Sequence, residues 1–146
     1  TKDDPKHKAF VEKFRAKTNA YPIYPAYHMA QGLFGLKTGV EAAMKANGGK
    51  WPTTEQIADA MRTMKFKVYG REITMREDGQ GLEAQLLGVT KRNAKYPFAV
   101  IDKMVLIPAE LVTTPVGQQS VNWVKGLNPS LAKVLTTDQF KTFDFK

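Results

Sequence analysis

A mixed α/β fold class follows from three features of the sequence. Met29, Leu33, Leu36, Val40 and Met44 fall at i, i+4, i+7, i+11 and i+15, the spacing of one face of an amphipathic helix. From Phe66 onward the apolar residues alternate instead, as half-buried strands do. The order along the chain is helix, long helix, helix, then strands, which suits helices layered on a sheet.

Each element has its own local signal. Asp4-Pro5 reads as an N-cap with proline at the first helical position, and Phe10, Val11 and Phe14 share one side of a helix to about Thr18. Pro22 and Pro25 push their preceding residues toward extended conformations, so Tyr21–Pro25 is expected to be non-helical. The long helix is expected from Ala26 to about Asn47, where Asn47-Gly48-Gly49 supplies residues tolerant of left-handed backbone. Thr53 with Gln56 forms a capping box, and Ile57, Met61 and Met64 place a short helix after it. The Asp78-Gly79 turn separates Val68, Ile73 and Met75 from Leu82, Ala84 and Leu86. YPFAVIDKMVLIP supplies a further short strand. Leu131–Leu135 reads as a turn or two of helix with Thr137 capping another, and FDFK as a tail docked by its aromatics.

Composition narrows the function. The 146 residues fit one domain, and 42% hydrophobic with 25% charged residues describes a globular chain. The net charge of +8 raises nucleic acid as a partner. However, Lys2, Lys6, Lys8, Lys13, Arg15 and Lys17, then Lys65, Lys67 and Arg71, then Lys91, Arg92 and Lys95 are interleaved with acids. A basic, solvated surface is the better reading. Without cysteine there is no disulfide, thiolate metal site or Cys nucleophile.

Candidate chemistry is sparse. Nothing in the sequence marks a nucleophile or carboxylate held near His7 or His28 to form a dyad, and His28 reads as a surface or cap residue. GLFGLKTG lacks the consecutive Gly-Lys-Ser/Thr of a phosphate loop. Its Gly32, Gly35 and Gly39 each lower helix propensity by about 1 kcal/mol, so close approach of another element is expected there. REDGQGLE has the residues of a turn but not the ligand spacing of a calcium loop. No enzyme activity and no cofactor are expected. The tyrosines of YPIYPAYH stay open between two roles, the wall of a small-molecule cleft or a staple at the helix start.

FVEKFRAKTNAYPIYPAYHMA resembles a segment late in ABC-transporter substrate-binding proteins of the branched-chain amino acid type, with Phe10 and Phe14 in the first helix and Tyr27 opening the second. The sequence departs from the family pattern where His28 and Met29 stand in place of Asp-Ala. TTEQIADAMRTMKFKVYGREITMREDGQ is similar to the following helix, then Phe66, Gly70 and a strand ending in an acidic Gly-Gln turn. LLGVTK and FAVID fit the closing strands. The resemblance runs from about Lys8 to Pro108.

The resemblance implies the C-terminal part of a two-lobed, type I periplasmic-binding-protein fold. Residues 1–70 would belong to the first lobe, 71–107 would cross to the second, and 108–146 form an extension without a place in the pattern. It further implies an exported, periplasmic component of an ABC importer that binds amino acids or related small carboxylates and docks on a permease. Tyr21, Pro22 and Tyr24 fall on the connector that lines the ligand cleft in that family. The chain is expected to be a fragment lacking most of the ligand site. Its long helix would then have a bare apolar side, and the chain should self-associate as a dimer or larger species. A basic nucleic-acid-binding module and a stand-alone interaction domain are the alternatives.

Overall fold

The computed structural model describes residues 4–126 and 142–143. The chain divides into two compact units, Thr1–Gly81 and Leu82–Lys146.

In the first unit, α1 (Pro5–Thr18) starts as its sequence dictates. The Asp4 carboxylate accepts from the backbone N–H groups of Lys6 and His7, and Pro5 occupies the first turn. At the other end Asn19 adopts left-handed backbone (φ 53°) and donates its N–H to the Arg15 carbonyl at 2.8 Å. The long helix α2 runs from Tyr24 to Ala46. This corrects the expectation that Tyr24 and Pro25 lie outside it. Ile23 is the extended cap residue, and Pro25 sits in the first turn, where its missing N–H breaks no helical bond.

Helix α3 (Thr54–Met61) opens on the expected capping box, with Thr53 Oγ1 accepting from Gln56 N–H and the Gln56 side chain accepting from Thr53 N–H. It ends short of Met64. Arg62 is extended and Thr63 adopts φ 59°, a conformation a β-branched residue rarely takes, so the chain turns out of the helix there. Strands β1 (Lys65–Val68) and β2 (Arg71–Met75) follow as an antiparallel hairpin with Phe66 opposite Ile73. Tyr69 and Gly70 form its two-residue turn, both at positive φ (51° and 75°), as a right-twisted hairpin requires. The anticipated Asp78-Gly79 turn comes next and leads to β3 (Gly81–Leu82), giving the sheet order β1-β2-β3.

Helix α2 packs within the chain on a face other than its apolar stripe, and much of that stripe is bare, as expected. Its buried residues are Gly35, Gly39 and Ala43, one turn apart, whereas Met29, Leu33 and Leu36 are exposed and Val40 and Met44 are half-buried. The reason is closeness of approach. A Cβ on Gly35 would lie 2.9 Å from the Phe66 ring, and one on Gly39 would lie 2.4 Å from Met61 Cγ. Small residues let α3 and β1 press onto the helix backbone, and Val68 and Ile73 complete this small core. The expected close approach thus holds at Gly35 and Gly39. At Gly32 nothing lies within 4 Å.

The second unit is built on β4 (Gln85–Arg92) and β5 (Ala99–Ile107), an antiparallel pair with Gln85 opposite Ile107 and Arg92 opposite Ala99. Two short helices follow, α4 (Ala109–Val112) and α5 (Ser120–Gly126). Ile107 and Ala109 are its buried residues among those described. On the far edge of β5 lies β6 (Thr142–Phe143), with Phe143 opposite Met104, so the first residue of FDFK joins the sheet through its backbone. The helical turns expected at Leu131–Leu135 and Thr137 lie outside the described residues.

Candidate functional site

The connector Asn19–Ile23 and the residues it brings together form the candidate site. The two helices it joins meet through an aromatic cluster. Phe10 of α1 stacks on Tyr69 with ring centroids 4.9 Å apart, and packs against Phe14 and Tyr27 at 6.0 and 5.3 Å. Tyr69 also meets Tyr27 and Phe34 of α2 edge-on, at 6.4 and 6.0 Å. The hairpin turn is therefore anchored against both helices. That contact explains how a tyrosine is held at positive φ, which costs a non-glycine residue of order 1 kcal/mol or more.

His7 adds a polar tie. Its Nε2 lies 2.9 Å from the Tyr27 hydroxyl, and its ring lies 5.6 and 5.8 Å from those of Tyr27 and Tyr69. Burial raises the Tyr27 phenol above its ordinary value; the Tyr69 hydroxyl adds to this, and the Arg71 guanidinium partly opposes it. Burial also raises Tyr69, with the Asp4 carboxylate adding to the effect. Both phenols thus stay neutral in ordinary buffers.

The three connector residues that the sequence singles out lie beside this cluster rather than in it. Tyr21 and Pro22 are half-buried, and the Arg15 guanidinium covers one face of the Tyr21 ring at 4.2 Å from its centroid. Tyr24 is 71% exposed and meets His28, one turn on, edge to face at 4.8 Å. Tyr27 packs inward and holds the helices together, while Tyr24 leaves most of its ring open. His28 is a surface histidine, as expected.

Sequence reasoning missed Tyr69, His7 and Arg15. Tyr69-Gly70 carried a turn signal, but the stronger Asp78-Gly79 pair drew the hairpin assignment. Between Arg15 and Tyr21 the chain leaves α1 through the left-handed Asn19.

The rejected motifs have structural uses. Lys37 pairs with Glu41 one turn on, and Thr38 Oγ1 donates to the Phe34 carbonyl, so both serve the surface of α2. In the acidic turn, the Asp78 carboxylate is gripped at both oxygens by Arg76, at 2.8 and 2.6 Å. That ion pair holds Asp78 below the usual carboxylate range and occupies the oxygens a cation would need. Among the described residues no group of His, Cys, Asp and Glu is arranged to hold a metal ion. No helix among them is long and apolar enough to cross a membrane.

Residues 1–93 match the family model described as periplasmic binding protein. The chain belongs to that family, and its role in general is solute binding. Neither the curated proteins nor the solved structures contain a match to it.

Proposed function

We propose that the chain is part of an extracytoplasmic solute-binding component of an ABC importer that binds amino acids or related small carboxylates, of the branched-chain type, without converting them. One observation carries this reading: the family match over residues 1–93 contains both helices and the whole connector. In this reading the protein works in the periplasm, ligand is held between two lobes, and the closed form docks on a permease. Residues 1–70 belong to the first lobe and 71–107 cross to the second.

Tyr21, Pro22 and Tyr24 line the edge of the cleft. The open ring of Tyr24 supports its place there, since an exposed tyrosine adds little to stability by packing. Most other ligand contacts come from chain beyond these residues. The exposed Met29, Leu33 and Leu36 support a further layer over α2, and leaving such residues bare favours self-association of this chain.

Calorimetric titration of the full-length protein with leucine, isoleucine, valine and small carboxylates tests the reading. Saturable binding that Tyr24→Ala weakens about tenfold, with the melting temperature lowered by less than about 2 °C, is the expected result. Unchanged affinity in Tyr24→Ala removes Tyr24 from the site. Absence of binding across the whole panel removes the ligand class.

A further inference from the structure

Among the described residues of the second unit, strand β4 is the most open element. All eight of its residues are exposed, Leu87 at 55% and Val89 at 67%. It lies at one edge of the sheet β4-β5-β6, and among the described residues no strand pairs with its outer side. The usual protections of an edge are weak here. There is no proline in Gln85–Arg92, and its charges, Lys91 and Arg92, stand together at one end. The register shifts once: Leu87 faces Val105 but Val89 faces Asp102, so Gly88 opposes both residues 103 and 104. The extra residue is therefore carried by β5. β4 remains continuous, with an unbroken outer edge about 27 Å long.

The ends of this segment are opposite in charge. Glu83 precedes β4, and Lys91 lies near its far end. When an edge pairs with its own copy about a two-fold axis, residues that meet must both direct their backbone groups outward or both inward. Only odd-with-odd or even-with-even pairings meet that condition. A pivot at Val89 sets Leu87 against Lys91 and Leu86 against Arg92. A pivot at Leu86 sets Glu83 against Val89. A pivot at Gly88 pairs apolar Leu87 with Val89 but leaves Glu83 facing Asn93. A pivot at Leu87 places Leu87 against its copy, Gln85 against Val89, and Glu83 against Lys91 at both ends. This last register alone joins apolar contact at the centre to charge complementarity at the ends.

We propose that β4 is a homodimerisation edge, on which a second copy of this chain adds its own β4 antiparallel about Leu87, making a continuous six-stranded sheet. The inference rests on β4 and not on the exposed residues of α2, and it does not depend on the solute-binding reading.

The absence of cysteine makes the test clean. Single Leu87→Cys chain is oxidised and run without reductant, and light scattering follows the 146-residue chain and its Leu87→Lys and Leu33→Lys variants. Circular dichroism confirms that each is folded. The proposal expects a disulfide-linked dimer from Leu87→Cys and a dimer that persists in Leu33→Lys. It also expects dimer dissociation at least tenfold stronger in Leu87→Lys. A dimer abolished by Leu33→Lys but kept in Leu87→Lys overturns it in favour of the α2 face. A chain that is monomeric at every concentration overturns it too, as does folded Leu87→Cys that forms no cross-link.

Discussion

The two faces of α2 use apolar character in opposite ways. On one face Gly35, Gly39 and Ala43 are buried with almost no side chain to contribute, because α3 and β1 lie against the helix backbone. On the other, Met29, Leu33 and Leu36 carry large apolar side chains into solvent. A stripe of large residues therefore does not mark where this helix packs within the chain. Fit decides the inner face, while hydrophobic area remains unspent on the outer one, where burial would bring about 1.5–3 kcal/mol per side chain.

The largest effect is expected from breaking the inner face. Gly39→Leu places its first side-chain carbon where Met61 Cγ lies 2.4 Å away, so the Met61 side chain or α3 itself must shift. A loss of about 1–3 kcal/mol in urea unfolding is expected, even though leucine is the better helix former. Phe10→Ala removes the ring that links α1 to Tyr27 and Tyr69, and about 2 kcal/mol should be lost by the same measurement. Loss of less than about 0.5 kcal/mol would show that α1 is held by something other than the aromatic cluster. Thr53→Ala takes away the N-cap of the helix that covers Gly39 and should cost about 1 kcal/mol.

The smallest effect is pH-dependent. The folded-state value of Tyr27 is raised above the unfolded value, so its contribution is fully present below the ordinary tyrosine value of 10.0. That contribution is lost as pH rises through the folded value. Thermal unfolding between about pH 9 and 11 should therefore fall less steeply in Tyr27→Phe than in the natural chain. Parallel curves would mean that the phenol gains nothing from being neutral.

Local chemistry was legible in the sequence wherever one or two residues decide the outcome. Asp4 with Pro5, Thr53 with Gln56, and the turn at Asp78-Gly79 all act within a few residues, and all three formed. So was the need for an unusual neighbour at Gly35 and Gly39, because a helix interior bears the cost of glycine only for a reason. The bare side of the long helix was legible too, in the stripe from Met29 to Met44, but periodicity measures amphipathicity and did not show that Gly35, Gly39 and Ala43 would be the face that packs within the chain. The aromatic cluster was hidden for another reason. It gathers His7, Phe10, Tyr27 and Tyr69 from separate elements, and its geometry depends on positive φ at Tyr69, which no local preference of tyrosine announces. Of the connector, the half-buried Tyr21 and Pro22 and the open Tyr24 were readable as residues apart, but the Arg15 guanidinium on Tyr21 was not.

The contrast between the two faces of α2 is tested most directly by comparing Gly39→Leu with Leu33→Ala in urea unfolding, at a concentration where light scattering shows a monomer. Leu33 is 61% exposed, so its truncation should change stability by no more than about 0.5 kcal/mol, while Gly39→Leu costs several times as much. The reverse order, a large loss at Leu33 and none at Gly39, would contradict the account.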